Sequence, residues 1–196
     1  MNLQSDSLMP NEDLNFRAKL EISINEKLKV LRENQEKIVR NKRAYYDAEK
    51  NHQDIIQYYQ NIDFHNSNGK ELFKLLHNLL EVTHHNQFSY AQSGDHLETW
   101  VDLHPYRKYK SLYSGKQADP EMVIRSELEN LTVSNIVPGQ NGESLNIEHV
   151  IPQSWFSKKE PMRGDMHHLF YCEINCNSFR GNKQYHNFPD YKPEVE

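Results

Sequence analysis

The sequence is poor in the residues that hold small proteins together without a core. Two cysteines among 196 residues, Cys172 and Cys176, exclude a disulfide framework and set no redox compartment. Seven glycines form no Gly-rich phosphate cradle, which argues against nucleotide-cofactor chemistry. Long apolar runs are missing too: the longest, Leu72 to Val82, is broken by Lys74, His77, Asn78 and Glu81, so nothing in the sequence reads as a bilayer span and no membrane partner is expected. The opening stretch MNLQSDSLMPNEDLNF has no basic n-region, apolar h-region or small-residue cleavage site, so a cytoplasmic location is the default expectation. Positive charge is not in excess either. The balance of 23 Lys and Arg against 28 Asp and Glu gives a net charge of -5, which argues weakly against a general polyanion binder and leaves local charge to decide.

What is present suits one well-cored domain with an extension. Tyr and Phe supply aromatics for a core despite a mean hydropathy of -0.92, so disorder throughout is not expected. From about Asp13 to Lys50, Phe16, Leu20, Ile24, Leu28, Leu31 and Ile38 recur at spacings of four, three or seven among Glu and Lys. This predicts an amphipathic helix, with Pro10 and Asn11 as start signals. Packing on the main domain is the first reading of its apolar face, and self-association or a partner contact the second. A turn-rich DFHNSNG stretch, Asp63 to Gly69, precedes a second helix from Lys70 to about His84. Its Leu72, Phe73, Leu75, Leu76, Leu79 and Leu80 make a broad apolar face expected to be largely buried. Beyond it, short mixed segments lead to a polar loop with Pro138, Gly139, Asn141 and Gly142, and any strands before that loop should be short.

The segment HPYRKYKSLYSGK, His104 to Lys116, carries Arg107, Lys108, Lys110 and Lys116 with no acidic residue, interleaved with Tyr106, Tyr109 and Tyr113. Cations beside aromatics suit a nucleic-acid backbone and its exposed bases, and ordinary surface lysines are an equally weighted reading.

Chemistry concentrates later. LNIEHVIPQSWF (Leu145 to Phe156) and DMHHLFYCEINCNSFRGNK (Asp165 to Lys183) place a Glu-His pair and a Cys-Asn pair about thirty residues apart. In a regular strand His149 and Glu148 would face opposite sides, so a bulge or a strand end must re-aim one if both serve one site. Phosphodiester hydrolysis needs a base for water, a cation to neutralise developing charge, and donors that hold phosphate. His149, then Glu148 with Asn177, then Arg163 or Arg180 supply these in order. One carboxylate and one carboxamide suit Mg²⁺, which keeps several waters, better than zinc. Asn175 competes with Asn177 in the INCNS run. His167 and His168 are read as loop braces ahead of a second metal site, and His77, His84 and His85 as packing and hydrogen-bonding residues. Cys172 and Cys176, four apart, are read as buried thiols ahead of half a zinc site assisted by His186.

On YYQNIDF, GKELFKLLHNLLEVTH, SLYSGK, NIEHVIPQSWF, EPMRGDMHHLF and CNSFRGNK, in that order from Tyr58 onward, the chain resembles the endonuclease I family of bacterial nucleases. This family is a branch of the ββα-metal, or His-Me finger, superfamily. The resemblance implies an α+β fold, mainly helical, with a ββα-metal core of short strands. It divides the chain into an N-terminal helical extension, residues 1–57, and a nuclease domain, residues 58–196, in which further helical segments usual after NSFRGN are missing. It implies His149 as general base and Glu148 and Asn177 as ligands of catalytic Mg²⁺, with Mn²⁺ or Ca²⁺ as alternatives. Arg163 from EPMRGD would steady the scissile phosphate, with Arg180 the second choice. Arg180, Lys183, Arg107, Lys108 and Lys110 are the expected nucleic-acid contacts. The expected activity is hydrolysis of DNA, with RNA as a second substrate, little sequence preference and 5′-phosphate ends. The family is largely periplasmic or secreted. A catalytically inactive nucleic-acid-binding or protein-interaction remnant is the alternative, and a site-specific HNH-like nuclease a third reading.

Overall fold

The computed structural model describes the backbone of residues 11–132 and 145–186, and side chains over residues 15–126 and 145–186. The polar loop at Pro138 to Gly142 and the start signal Pro10 lie outside the described residues. Helices dominate, and the strands are short antiparallel pairs, so the fold is mainly helical α+β. Among the described residues no helix is long and apolar enough to cross a membrane.

Helix α1 spans Asn11–Arg40. The expected helix to Lys50 is instead interrupted: α1 is followed by a single turn, α2 (Lys42–Tyr45), and then α3 (Ala48–Tyr58). Two side-chain caps cause the breaks. Asn41 accepts from the Arg43 N–H at 3.1 Å, and Asp47 accepts from the Glu49 and Lys50 N–H groups at 3.1 Å, each starting a new helix with an extended residue. Ile24, Leu28, Leu31 and Ile38 of α1, spaced along one face, are buried. They share one cluster with Leu97, Leu103, Tyr109, Ile124, Leu169 and Tyr171. Each such side chain contributes roughly 1.5–3 kcal/mol by leaving water. From Ile24 to Ile38 the apolar stripe is thus consumed inside the chain, as the packing reading expects, while Phe16 at its start is exposed; nothing among the described residues supports self-association through it. Arg32 adds a two-pronged pair to Glu121, at 2.7 and 2.8 Å.

Helix α4 (Gly69–Thr83) forms where the leucine spacing places it, but the expected burial fails. No residue of α4 is buried, and Phe73 and Leu80 are 69% and 57% exposed. The helix stands with α3 outside the main cluster, tied by a hydroxyl–hydroxyl bond of 2.9 Å between Tyr58 and Thr83. An apolar stripe predicts that a helix has a face to cover; whether a neighbour reaches it is settled by packing.

Two helices are absent from the periodicity reading. Helix α5 (Tyr90–Thr99) starts at a capping box, with the Ser89 hydroxyl accepting from the Gln92 N–H and Gln92 accepting from the Ser89 N–H. Helix α6 (Pro120–Thr132) starts with proline after Asp119, whose carboxylate accepts from the Glu121 N–H at 3.0 Å. Both signals are legible: S-x-x-Q, and Asp before Pro at the first helical position. Between them, β1 (Tyr109–Lys110) pairs with β2 (Gln117–Ala118), two residues each, as short as expected.

Strands β3 (Leu145–His149) and β4 (Leu169–Glu173) pair antiparallel without a break in register, from Leu145 opposite Glu173 to His149 opposite Leu169. Helix α7 (Ile174–Arg180) follows β4 directly. The rings of Tyr109 and Tyr171 stack 4.4 Å apart, joining this unit to the core. Cys172 therefore lies on a strand and Cys176 on a helix, so they do not share the helical face that their spacing suggested.

Candidate active site

Helix α7 is stitched over β3 by two side chains. The Asn177 amide donates to Asn146 Oδ1 at 2.9 Å and to the Ile147 carbonyl at 3.3 Å. Arg180 donates to the His149 carbonyl at 2.9 Å and also to the Val150 carbonyl. Asn175, the competing asparagine, is exposed on α7. Between strand and helix lies an open cleft of about 390 Å³, lined among others by Glu148, His149, Gln153, Asn177 and Arg180. Adjacent residues reach one cleft because His149 ends the strand. Pairing is regular through residue 149 and the chain then turns at Pro152 into a 3₁₀ turn, Gln153–Phe156. The re-aiming device is a strand end rather than a bulge.

His149 is 5% exposed, and its ring is fixed on both nitrogens. Nε2 lies 3.0 Å from the Arg163 carbonyl. A carbonyl only accepts, so Nε2 carries the hydrogen and, in the neutral ring, the lone pair is on Nδ1. Nδ1 accepts from the Gln153 amide at 3.3 Å. Tyr90 packs on the ring at 5.2 Å between centroids. Burial holds the imidazole below its ordinary pKa, so it is neutral at pH 7 with its base lone pair in place.

The Arg163 carbonyl is held by the turn that contains it. Glu160 accepts from the Tyr90 N–H at 2.9 Å and from the Gly164 N–H at 2.7 Å, and Ser93 donates to the Gly164 carbonyl. Gly164 is required by space: a Cβ there would lie 2.1 Å from the Phe88 carbonyl oxygen. His168 donates through Nε2 to the Met162 carbonyl at 2.7 Å, bracing the same turn as expected of it.

Glu148 is 2% exposed and concentrates its contacts on one oxygen. Oε1 receives the Tyr113 hydroxyl at 2.7 Å, the Tyr185 hydroxyl at 3.4 Å and Arg180 Nη1 at 2.9 Å. No described side chain donates to Oε2, nor to Asn177 Oδ1. Burial, then the bonds to Tyr185 and Glu148, keep the Tyr113 phenol protonated by raising its pKa far above the ordinary value. Tyr113 is a site residue that the sequence reading missed. Its SLYSGK turn docks on β4 through the Leu112 N–H to the Tyr171 carbonyl at 2.8 Å and through Ser111 and Ser114 to Glu173. The aromatic-cation pattern offered these tyrosines for base stacking, with an ordinary surface segment as the equal reading, and no spacing signal links Tyr113 to Glu148.

The other candidates fall elsewhere. The Arg163 guanidinium lies 5.0 Å over the Tyr90 ring, with Nε buried and without a hydrogen-bond partner. Lys108 is paired with Asp119 at 2.6 Å, while Arg107 and Lys110 are exposed around β1. Lys183 donates to the Phe179 carbonyl at 2.8 Å, closing the end of α7. None of Arg163, Arg107, Lys108, Lys110 or Lys183 is among the residues lining the cleft. The Cys172 thiol is buried, and burial first, with nearby Glu148 and Glu173, pushes its pKa up to about 12, fitting an unreactive thiol. Among the described residues no three His, Cys, Asp or Glu side chains converge on a metal position, so a zinc site with His186 is not assembled there.

A family model described as Endonuclease I matches residues 68–192. The chain belongs to the endonuclease I family. Comparison with curated proteins and with solved structures gave no match. For a member of this nuclease family, the match is informative in its span. It includes the SLYSGK turn, the EPMRGD turn and the whole β3–β4–α7 unit, the three parts whose side chains meet around His149 and Glu148.

Proposed function

We propose that the chain is a metal-dependent endonuclease that hydrolyses phosphodiester bonds of DNA with little sequence preference. RNA is a second substrate and the ends carry 5′-phosphate. The observation that carries this reading is the state of His149. Its one hydrogen is committed to the Arg163 carbonyl and its lone pair faces Gln153, in the same cleft as the Glu148 and Asn177 oxygens. In this reading β3, β4 and α7 form the ββα-metal core.

With the Gln153 amide displaced from its lone pair, His149 Nδ1 takes a proton from water as the water oxygen attacks phosphorus, and the bond from phosphorus to the 3′ oxygen breaks, that oxygen taking a proton from solvent. The carbonyl of Arg163 orients the imidazole and stabilises the imidazolium that forms. Glu148 Oε2 and Asn177 Oδ1 fit a metal ligand set: both are hard oxygens, neither receives a side-chain donor among the described residues, and their number suits Mg²⁺ better than zinc. When bound, Mg²⁺ supplies positive charge against the charge developing on the phosphoryl and leaving oxygens. Tyr113 and Tyr185 fix Glu148 by donating to its other oxygen. Arg163, whose guanidinium packs over Tyr90 outside the cleft lining, is the residue that the family resemblance proposes to steady the phosphate.

The test is incubation of supercoiled plasmid with the wild-type chain and with His149→Ala, in Mg²⁺ and in chelator. Nicking and degradation by the wild type in Mg²⁺ alone is the expected pattern. Equal activity of His149→Ala, or activity undiminished by chelator, refutes it, and a folded wild type without cleavage moves the reading to a binding remnant.

A further inference from the structure

The cleft contains a cation that no part of the reaction uses. Lys158 lines it, together with Ser154, Asn182 and the site residues. Its place there depends on an uncommon backbone. Ser157 and Lys158 are consecutive non-glycine residues in the left-handed region, both at φ 57°, a conformation that costs energy for residues with a side chain. The turn is held by the Lys158 N–H bond to the Gln153 carbonyl at 2.9 Å and by the Lys159 N–H bond to the Phe156 carbonyl at 3.2 Å. Gln153 in turn touches His149 Nδ1. The lysine is therefore built into the segment that carries the general base.

Charge decides what the lysine can do. The lining contains three residues of fixed formal charge, Glu148, Arg180 and Lys158. Glu148 and Arg180 neutralise each other at 2.9 Å. Lys158 makes no ion pair or hydrogen bond through its ammonium among the described residues, and it is exposed. Of the fixed charges among the described lining residues it alone is left uncompensated, on a protein of net charge -5, and an ammonium is a point-charge partner for a phosphate oxygen.

We infer that Lys158, with Ser154 and Asn182 of the same cleft lining, forms a subsite for a backbone phosphate next to the scissile one, placing the nucleic acid across the cleft before chemistry. This rests on the nuclease reading. It makes Lys158 a substrate-positioning residue whose contribution lies in binding rather than in the transition state.

The experiment compares wild type, Lys158→Gln, Lys158→Arg and Lys159→Gln. Affinity for a fluorescent mixed-sequence DNA duplex is measured by anisotropy over a salt series without divalent ions, and kcat and KM for the same duplex are measured in Mg²⁺. One lost phosphate contact makes the slope of log affinity against log salt shallower by about 0.9. Lys158→Gln should show that change, with KM raised about five- to tenfold and kcat near wild type. Lys158→Arg should restore both, and Lys159→Gln, which removes an equal charge outside the cleft lining, should leave the slope unchanged. An unchanged slope in Lys158→Gln, or an equal change in Lys159→Gln, overturns the subsite and leaves the nuclease reading standing. A wild type that binds DNA but never cuts it, with the slope change still confined to Lys158→Gln, supports the subsite while ending the nuclease reading. A wild type that neither binds nor cuts ends both.

Discussion

Asp102 offers a direct measure of what this fold tolerates to seat its site. It lies in the 3₁₀ turn Val101–Leu103, and its carboxylate accepts from the Tyr171 N–H at 3.2 Å, tying α5 to strand β4. Burial outweighs that bond and raises its pKa from 3.8 to about 6. The folded state therefore holds the proton more tightly than the unfolded chain. The ionised carboxylate destabilises the fold above pH 6, and stability is regained as pH falls through 6 towards 3.8. A shift of about two units corresponds to about 3 kcal/mol at most, with roughly half recovered by pH 5. Asp102→Asn keeps an acceptor for Tyr171 and removes the titration. Urea unfolding of both proteins from pH 8 to pH 4 gives the difference in stability at each pH, in which the other titrating groups cancel. The variant's advantage should be greatest at pH 8 and should shrink by about 2–3 kcal/mol by pH 4, whatever its constant offset. A difference that stays flat across this range, or grows as pH falls, refutes the reasoning.

Arg180→Met leaves the Glu148 carboxylate buried without its cation and should cost about 3–5 kcal/mol. The double variant with Glu148→Gln should recover part of that loss, measured as a double-mutant cycle of unfolding free energies. Leu31→Ala, in α1 outside the matched family region but fully buried in the shared cluster, should cost about 2–5 kcal/mol; a cost near zero in thermal or urea unfolding would show α1 to be dispensable. Gly164→Ala pushes a Cβ onto the Phe88 carbonyl at 2.1 Å and should lower both Tm and turnover by moving the carbonyl that orients His149, whereas wild-type values of both would show that the turn can move freely. Asn177→Ala should raise the Mg²⁺ concentration needed for half-maximal plasmid cleavage, and an unchanged metal titration excludes it as a ligand.

The sequence by itself determined the parts whose causes are local. The spacing of Ile24, Leu28, Leu31 and Ile38 gave α1 its buried face, and the leucines of α4 its helix, because side chains three and four apart share one side of a helix. The resemblance joined Asn177 to Glu148 and His149 in one site, while the short strands and the loop-bracing role of His168 were legible for a related reason. In each case a short stretch of chain carries both the chemistry and the turn that aims it. The capping signals of α5 and α6 were equally present in the residues, though periodicity alone passes over them, since both helices are short of a regular apolar stripe.

Tertiary structure decided the rest, because it depends on residues far apart in the chain. Only packing shows that α4 keeps Phe73 and Leu80 in solvent while α1 joins the core. Tyr113, 35 residues from Glu148, becomes its partner because the SLYSGK turn docks on β4. Arg180, expected as a phosphate contact, also clamps β3, which follows from the direction in which α7 leaves the strand. The proton on His149 is fixed by a carbonyl fourteen residues away, and that carbonyl is held by Glu160, Ser93 and a glycine against which another helix start is pressed. Side-chain types can be read as capable of catalysis; which nitrogen of His149 keeps its lone pair, and which Glu148 oxygen takes the described donors, is decided only once the chain has folded.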